Sequence, residues 1–335
     1  MQIAAAPIAP ARSLSAYRRP LLIALGAAAV VGLVLTALPG AYDAVRGGLS
    51  RLPDAALGWI ALALAFEALS FFGHIVLFRT VFSTRSARVG MGASYEITMA
   101  GHAATRLVGA AGAGGIALTV WALRRAGMAT QTIAARMAGF MVLLYAFYAV
   151  SVAVVGIGLA TGLFPGGGSE ALTLVPGLVA VGVVVAVLTA ALVAPKLPLA
   201  KTVGEGAREA LSVLRHPRPG LLGGVMWWAF DIAVLWACFH AFGVTLPIAI
   251  IVLGYFLGLV GNALPFLGSV GGVDGGMIAA LVALGAPPAL TVAAVIVYRL
   301  ISCWLPALPG AAAVVQLRRR ASGWDALSGS VRASS

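Results

Sequence analysis

The chain has 335 residues, 61% of them hydrophobic and only 10% charged, with a formal net charge of +12 and a mean hydropathy of +1.03. These values exclude a soluble globular domain, and the apolar runs lack the alternation of a membrane β-barrel, so the chain reads as an all-α polytopic membrane protein. The basic residues sit in short clusters between apolar runs, the positive-inside pattern rather than a nucleic-acid surface.

Arg12, Arg18 and Arg19 precede an apolar run at Leu21–Leu38. That run is longer than the roughly 7–15 residues of a signal-peptide core, so an uncleaved first span is expected over 20–38 with the N-terminus inside. Arg46 and Arg51 are balanced by Asp43 and Asp54, which places that segment outside. A second span over about 55–78 is closed inside by Arg79, Arg85 and Arg88. Next, 92–123 holds an apolar run, the glycine stretch Val108–Ile116 and a shorter run ending at Arg124 and Arg125. Basic residues on both sides require it to enter and leave on one face, as a re-entrant hairpin. Spans three and four follow at about 131–161 and 171–194, joined outside by a loop without basic residues. Lys196, Lys201, Arg208, Arg215 and Arg218 keep 195–219 inside. After a fifth span at 220–242, a second hairpin is expected over 247–286, around Leu264–Met277. Its GSVGGVDGG run is too dense in glycine for a stable helix interior. The last span, 288–316, is closed by Arg318, Arg319 and Arg320.

The layout is six full spans and two glycine-broken hairpins, eight or more hydrophobic segments, in an inverted repeat of halves 20–161 and 171–317. The tails are 1–19 and 318–335, the latter basic and then disordered, and both are expected in the cytoplasm. Paired breaks in corresponding halves point to a transporter's binding site. Non-helical backbone at that depth needs protein or a water-filled cavity around it.

Glu67, His74, Glu96, His102, Arg106, Arg136, Asp231, His240, Asp274 and Arg299 are embedded ionisable residues, which are costly in lipid and mark pathways or internal pairs. Asp231 and His240 read as helix-bonding groups, Arg136 as interfacial, and Glu67 with His74 as a pair on one helix face. Arg106, Asp274 and Arg299 coincide with the broken or deep segments and carry the functional expectation. No phosphate-binding loop, zinc-protease motif or nucleophile elbow is present, and Cys238 and Cys303 lack metal-ligand spacing. No cofactor and no metal is expected.

Asn262, Pro265, Gly271, Gly272, Asp274, Tyr298, Arg299, Trp304, Leu305, Pro306 and Gly310 together resemble the C-terminal signature of the lysylphosphatidylglycerol synthase transmembrane-region family, also called flippase-like membrane proteins. Arg106, Gly109, Gly112, Gly114, Gly115 and the Leu-Arg-Arg-Ala-Gly run at 123–127 resemble its N-terminal glycine segment. Asp274 stands where Glu is commoner, Ser269 takes an often-glycine position, and the first segment lacks the proline of many members. In larger members such a domain precedes a cytoplasmic aminoacyl-transferase domain and is implicated in moving aminoacylated lipid between leaflets. The resemblance therefore implies the translocation half without the synthesis half.

The expected function is translocation of a phospholipid or lipid-linked substrate across the cytoplasmic membrane through a midplane cavity. Arg106, Arg299, Asp274, Glu67, His102 and Asn262 are the expected head-group residues, and Gly109, Gly112, Gly114, Gly115, Gly268, Gly271, Gly272 and Gly275 the structural breaks. The expected partners are membrane lipids with anionic or aminoacylated head-groups, with no nucleic acid. The alternatives are a non-catalytic partner of an envelope lipid- or glycan-modifying enzyme and, behind it, an intramembrane head-group enzyme.

Overall fold

A computed structural model describes residues 40–83, 89–108, 113–193, 198–215, 218–260 and 268–333. The expected first span at 20–38 lies outside these residues. The described chain is helical: α1 Ala41–Arg51, α2 Leu57–Phe82, α3 Met91–Val108, α4 Ala113–Arg125, α5 Thr130–Ala160, α6 Glu170–Leu192, α7 Pro198–Leu214, α8 Leu222–Ala241, α9 Ile248–Leu259, α10 Gly268–Ala283, α11 Pro288–Arg299 and α12 Ala307–Ala333. Among the described residues, five stretches are long and apolar enough to cross a membrane: α2, α5, α6, Pro219–Ala241 and Pro288–Trp324. At 1.5 Å per residue the 26 residues of α2 reach about 39 Å, more than the roughly 30 Å of hydrocarbon. This is a multi-pass helical membrane protein. Its outer surface suits lipid, since α6 exposes Val175, Leu178, Val179, Val183 and Val185.

The centre is an antiparallel crossing of α2 and α8. At one end the Ala56 N–H donates to the Ala241 carbonyl at 2.9 Å. At the other, Gly220 packs under the Thr80 side chain. Between them Ser70 Oγ donates to the Trp227 carbonyl at 2.9 Å. A β-carbon on Gly73 would sit 2.8 Å from the Gly223 carbonyl oxygen, so only glycine lets the two backbones come this close.

Each half then repeats one order, a span, two short helices and another span: α2–α3/α4–α5, then α8–α9/α10–α11. The short helices pair as expected for hairpins. A β-carbon on Gly115 would lie 2.7 Å from the Gly101 carbonyl oxygen, joining α3 to α4. In the second pair Gly258 meets Met277 and Gly254 meets Leu281, so the sequence rises on one helix as it falls on the other. That register is antiparallel. The connecting residues 109–112 and 261–267, with Gly109, Gly112 and Asn262, lie outside the described residues.

Two expectations are corrected, the glycine break and the disordered tail, and the final span carries a local change of helix type. The glycine run does not break the chain through 268–276: Gly268, Gly271, Gly272 and Gly275 belong to α10, and Gly114 and Gly115 open α4. A helix interior glycine costs about 1 kcal/mol relative to alanine, but a backbone leaving the helix in an apolar environment loses hydrogen bonds costing several times that. The final span is not uniform either. After Arg299 it widens into a π turn, Leu300–Trp304, where the Leu305 N–H reaches back to the Leu300 carbonyl at 3.0 Å. Pro306 has no N–H to donate, and its ring crowds the carbonyl four residues earlier, which forces the wider turn. The tail is helical to Ala333 rather than disordered, held where Leu317 and Ala321 are buried.

The loop at 195–219 forms α7, a helix lying against α5 and α6. A β-carbon on Gly206 would touch that of Ala138 at 3.0 Å, and Arg208 Nη1 donates to the Ala191 carbonyl at 3.1 Å. Several of the described basic residues gather at one end of the bundle. Arg79 lies in the last turn of α2, where Arg136 Nη1 donates to the Val81 carbonyl, and Arg218 precedes the turn that packs on Thr80. Arg320 ties the start of α3 to α12 at the same end, since Val81, Val89 and Leu317 share one apolar cluster.

Candidate functional site

Glu67 lies near the middle of α2 and Asp231 near the middle of α8, so the central crossing carries two carboxylates about half-way along its length. A cavity of about 140 Å³ opens beside them. Both hairpins line it, through His102 of α3, Tyr255 and Leu259 of α9 and Val273 of α10. The last span adds Tyr298, Arg299 and, from the π turn, Ser302.

The polar groups of the cavity form two sets. Arg299 Nε pairs with Asp274 Oδ1, which joins the last span to the second hairpin with side chains 11% and 25% exposed. Asp231 Oδ2 accepts hydrogen bonds from the Tyr298 hydroxyl at 3.0 Å and from the Tyr255 hydroxyl. Three elements, α8, α9 and α11, thus converge on one oxygen. An ionised carboxylate is an acceptor only, so two hydroxyl donors satisfy it without neutralising its charge.

A second cavity of about 250 Å³ lies next to the first, mostly apolar, between the first hairpin and α5. Ile97, Phe140, Met141 and Leu144 form much of its wall, and His102, Trp227 and Trp228 border both cavities. In that shared wall His102 Nε2 and His74 Nδ1 approach to 3.3 Å. The Trp227 indole stacks on the His74 ring with centroids 3.9 Å apart.

Arg299, Glu67 and His102 line one cavity, and Asp274 joins them through Arg299. Arg106 lies in the last turn of α3, and its side chain is outside the described residues. Glu96 points away from the cavity and accepts two hydrogen bonds from Arg320, at 2.6 and 2.7 Å. His240 bonds the Trp236 carbonyl at 2.9 Å and packs on Trp59, as a helix-bonding role requires. Glu67 and His74 do share a face of α2, but Glu67 lines the polar cavity and His74 the apolar one.

The sequence missed Asp231 as a site residue, and with it Tyr255 and Tyr298. Its only signal was an acid at mid-span, the feature that had already singled out Glu67. Tyrosines within apolar helices look like ordinary core residues until α8, α9 and α11 converge. Among the described residues, no group of three or more His, Cys, Asp or Glu could hold a metal ion.

The chain matches a protein family over residues 21–310; its description is Lysylphosphatidylglycerol synthase TM region. No curated protein matches it.

Proposed function

The chain belongs to the Lysylphosphatidylglycerol synthase TM region family, and from that premise we propose that it moves a phospholipid or lipid-linked substrate between the leaflets of the cytoplasmic membrane. The observation that carries this reading is the cavity of opposite charges at mid-bundle, walled by both hairpins. A polar head needs such a place to shed part of its hydration half-way across, and each buried charge would otherwise be costly. Arg299 offers a forked donor to a head-group phosphate, and Asp231, Glu67 and Asp274 offer acceptors to an amino or hydroxyl group. The apolar cavity beside it suits the first carbons of an acyl chain. The basic end of the bundle, from Arg79 to Arg320, is assigned to the cytoplasmic face. Both termini are then inside, and reporter fusions at each end test this.

The function is tested by reconstituting the full chain in liposomes with leaflet-specific labels on several lipid classes. Lipid transfer should be present in the wild type and lost in Arg299→Ala. Arg299→Lys keeps the charge but loses the fork, so transfer of phosphate-bearing lipid should fall while the protein stays folded. Undiminished transfer in both variants removes Arg299 from the site, and a wild type that transfers no lipid class overturns the reading.

A further inference from the structure

The wall between the two cavities holds a chemistry that head-group binding does not require. A neutral imidazole has one N–H and one acceptor nitrogen, so the His74–His102 contact is an N–H···N bond. One added proton can be accommodated on the pair. A second would set two cations 3.3 Å apart in a low-dielectric wall and is excluded by their repulsion. The pair thus holds one extra proton or none.

The cavities on either side of the pair are lined by Glu67 from α2, Asp231 from α8, Tyr145 from α5, Tyr255 from α9, and Tyr298 and Arg299 from α11. Arg299 pairs with Asp274 from α10. Trp227 stacks face to face on His74, and an imidazolium there gains a cation–π attraction that a neutral ring lacks. His102 borders both cavities, so the pair is reachable from either.

We propose that His74 and His102 form a one-proton site whose loading and unloading couples lipid movement to a proton gradient. The coupling rests on the translocation reading; the proton site does not. An imidazole nitrogen takes one proton from one cavity and returns it to water or the Glu67 carboxylate in the other. No electrons move and no covalent intermediate forms.

Two measurements test it. The first is tryptophan fluorescence of the full chain in nanodiscs of phosphatidylethanolamine and phosphatidylglycerol, titrated downward from about pH 8 until the fold is lost. A protonated His74 quenches Trp227, so one single-proton step is expected that disappears in Trp227→Phe and in His74→Phe and is displaced or lost in His102→Asn. His74→Gln serves if the phenylalanine variant fails to fold. No step in the wild type, or a step that survives both histidine variants, overturns the site. The second is the steady-state leaflet ratio of labelled phosphatidylglycerol in liposomes carrying a one-unit pH gradient. One coupled proton drives up to about a tenfold ratio, which should collapse towards unity in His74→Phe and His102→Asn. A wild type that moves lipid but ignores the gradient overturns the coupling. A wild type that moves no lipid with or without the gradient removes translocation and coupling together, while the fluorescence step still decides the proton site.

Discussion

The two hairpins are each tied to the C-terminal helices by one carboxylate–arginine pair, and the two pairs differ in everything but their chemistry. Glu96 of the first hairpin meets Arg320 of α12 with two nitrogen–oxygen contacts at 2.6 and 2.7 Å, at the basic end of the bundle, where Arg320 is 41% exposed although Glu96 itself is buried. Asp274 of the second hairpin meets Arg299 beside the polar cavity, where the arginine is 11% exposed. A pair that water reaches is screened and contributes little, whereas breaking a pair in low dielectric strands a charge. Equal-looking ion pairs therefore have unequal roles: the outer one fastens a helix end, and the inner one conditions a cavity.

The largest effect is expected where that contrast is sharpest. Asp274→Ala should destabilise the protein by about 3 kcal/mol or more, because Arg299 is left buried without its carboxylate. Thermal unfolding in detergent measures this, and the double variant with Arg299→Ala should be milder than the worse single. A double variant as unstable as the sum would show that the two charges do not act as a pair.

The glycine seams of the hairpins come next. Gly258→Leu in the second hairpin and Gly115→Leu in the first should each cost about 1–3 kcal/mol by forcing the paired helices apart. Leucine accepted at either position without loss of melting temperature would contradict the close approach there. Smaller again is the removal of one hydroxyl from Asp231: Tyr298→Phe should cost about 1–2 kcal/mol, the loss of a hydrogen bond to a charged group. Measured lipid transfer should fall more in this variant than stability does, if Asp231 works in the cavity and not only as a fastener.

The smallest change sharpens the comparison from the other side. Glu96→Gln should cost less than about 1 kcal/mol, and that cost should shrink further as salt is raised. A loss as large as that of Asp274→Ala would erase the distinction between the two pairs.

The spans at 57–82, 130–160, 170–192 and 222–241 were legible to within a few residues, because an apolar run long enough to cross lipid has few other readings. The hairpins were legible because charge had to return to one face. Glycine-dense sequence was misread at 268–276: local propensity argues for a break, but an apolar environment penalises unpaired backbone more than it penalises glycine. The basic residues of 195–219 place that segment on one side of the membrane without indicating the helix at 198–214, in which Ala207 and Ala210 are buried. The π turn after Arg299 had its signal in Pro306, whose effect on the turn before it depends on where that turn must pack.

What the sequence by itself determined is therefore the membrane class, the order of spans and hairpins, and the presence of Glu67, His102, Asp274 and Arg299 where lipid alone would not tolerate them. Those follow from transfer energies, which depend on residue type and run length. Only the tertiary structure decided which of these charges meet. It sent Glu96 to Arg320 at the basic end, set Asp274 against Arg299, gave Asp231 two tyrosine donors and put His74 against His102. Partners on different helices are chosen by how the α2–α8 crossing and the two hairpins pack, and that geometry rests on small residues such as Gly73, Gly115 and Gly258, whose contacts no single run of sequence contains.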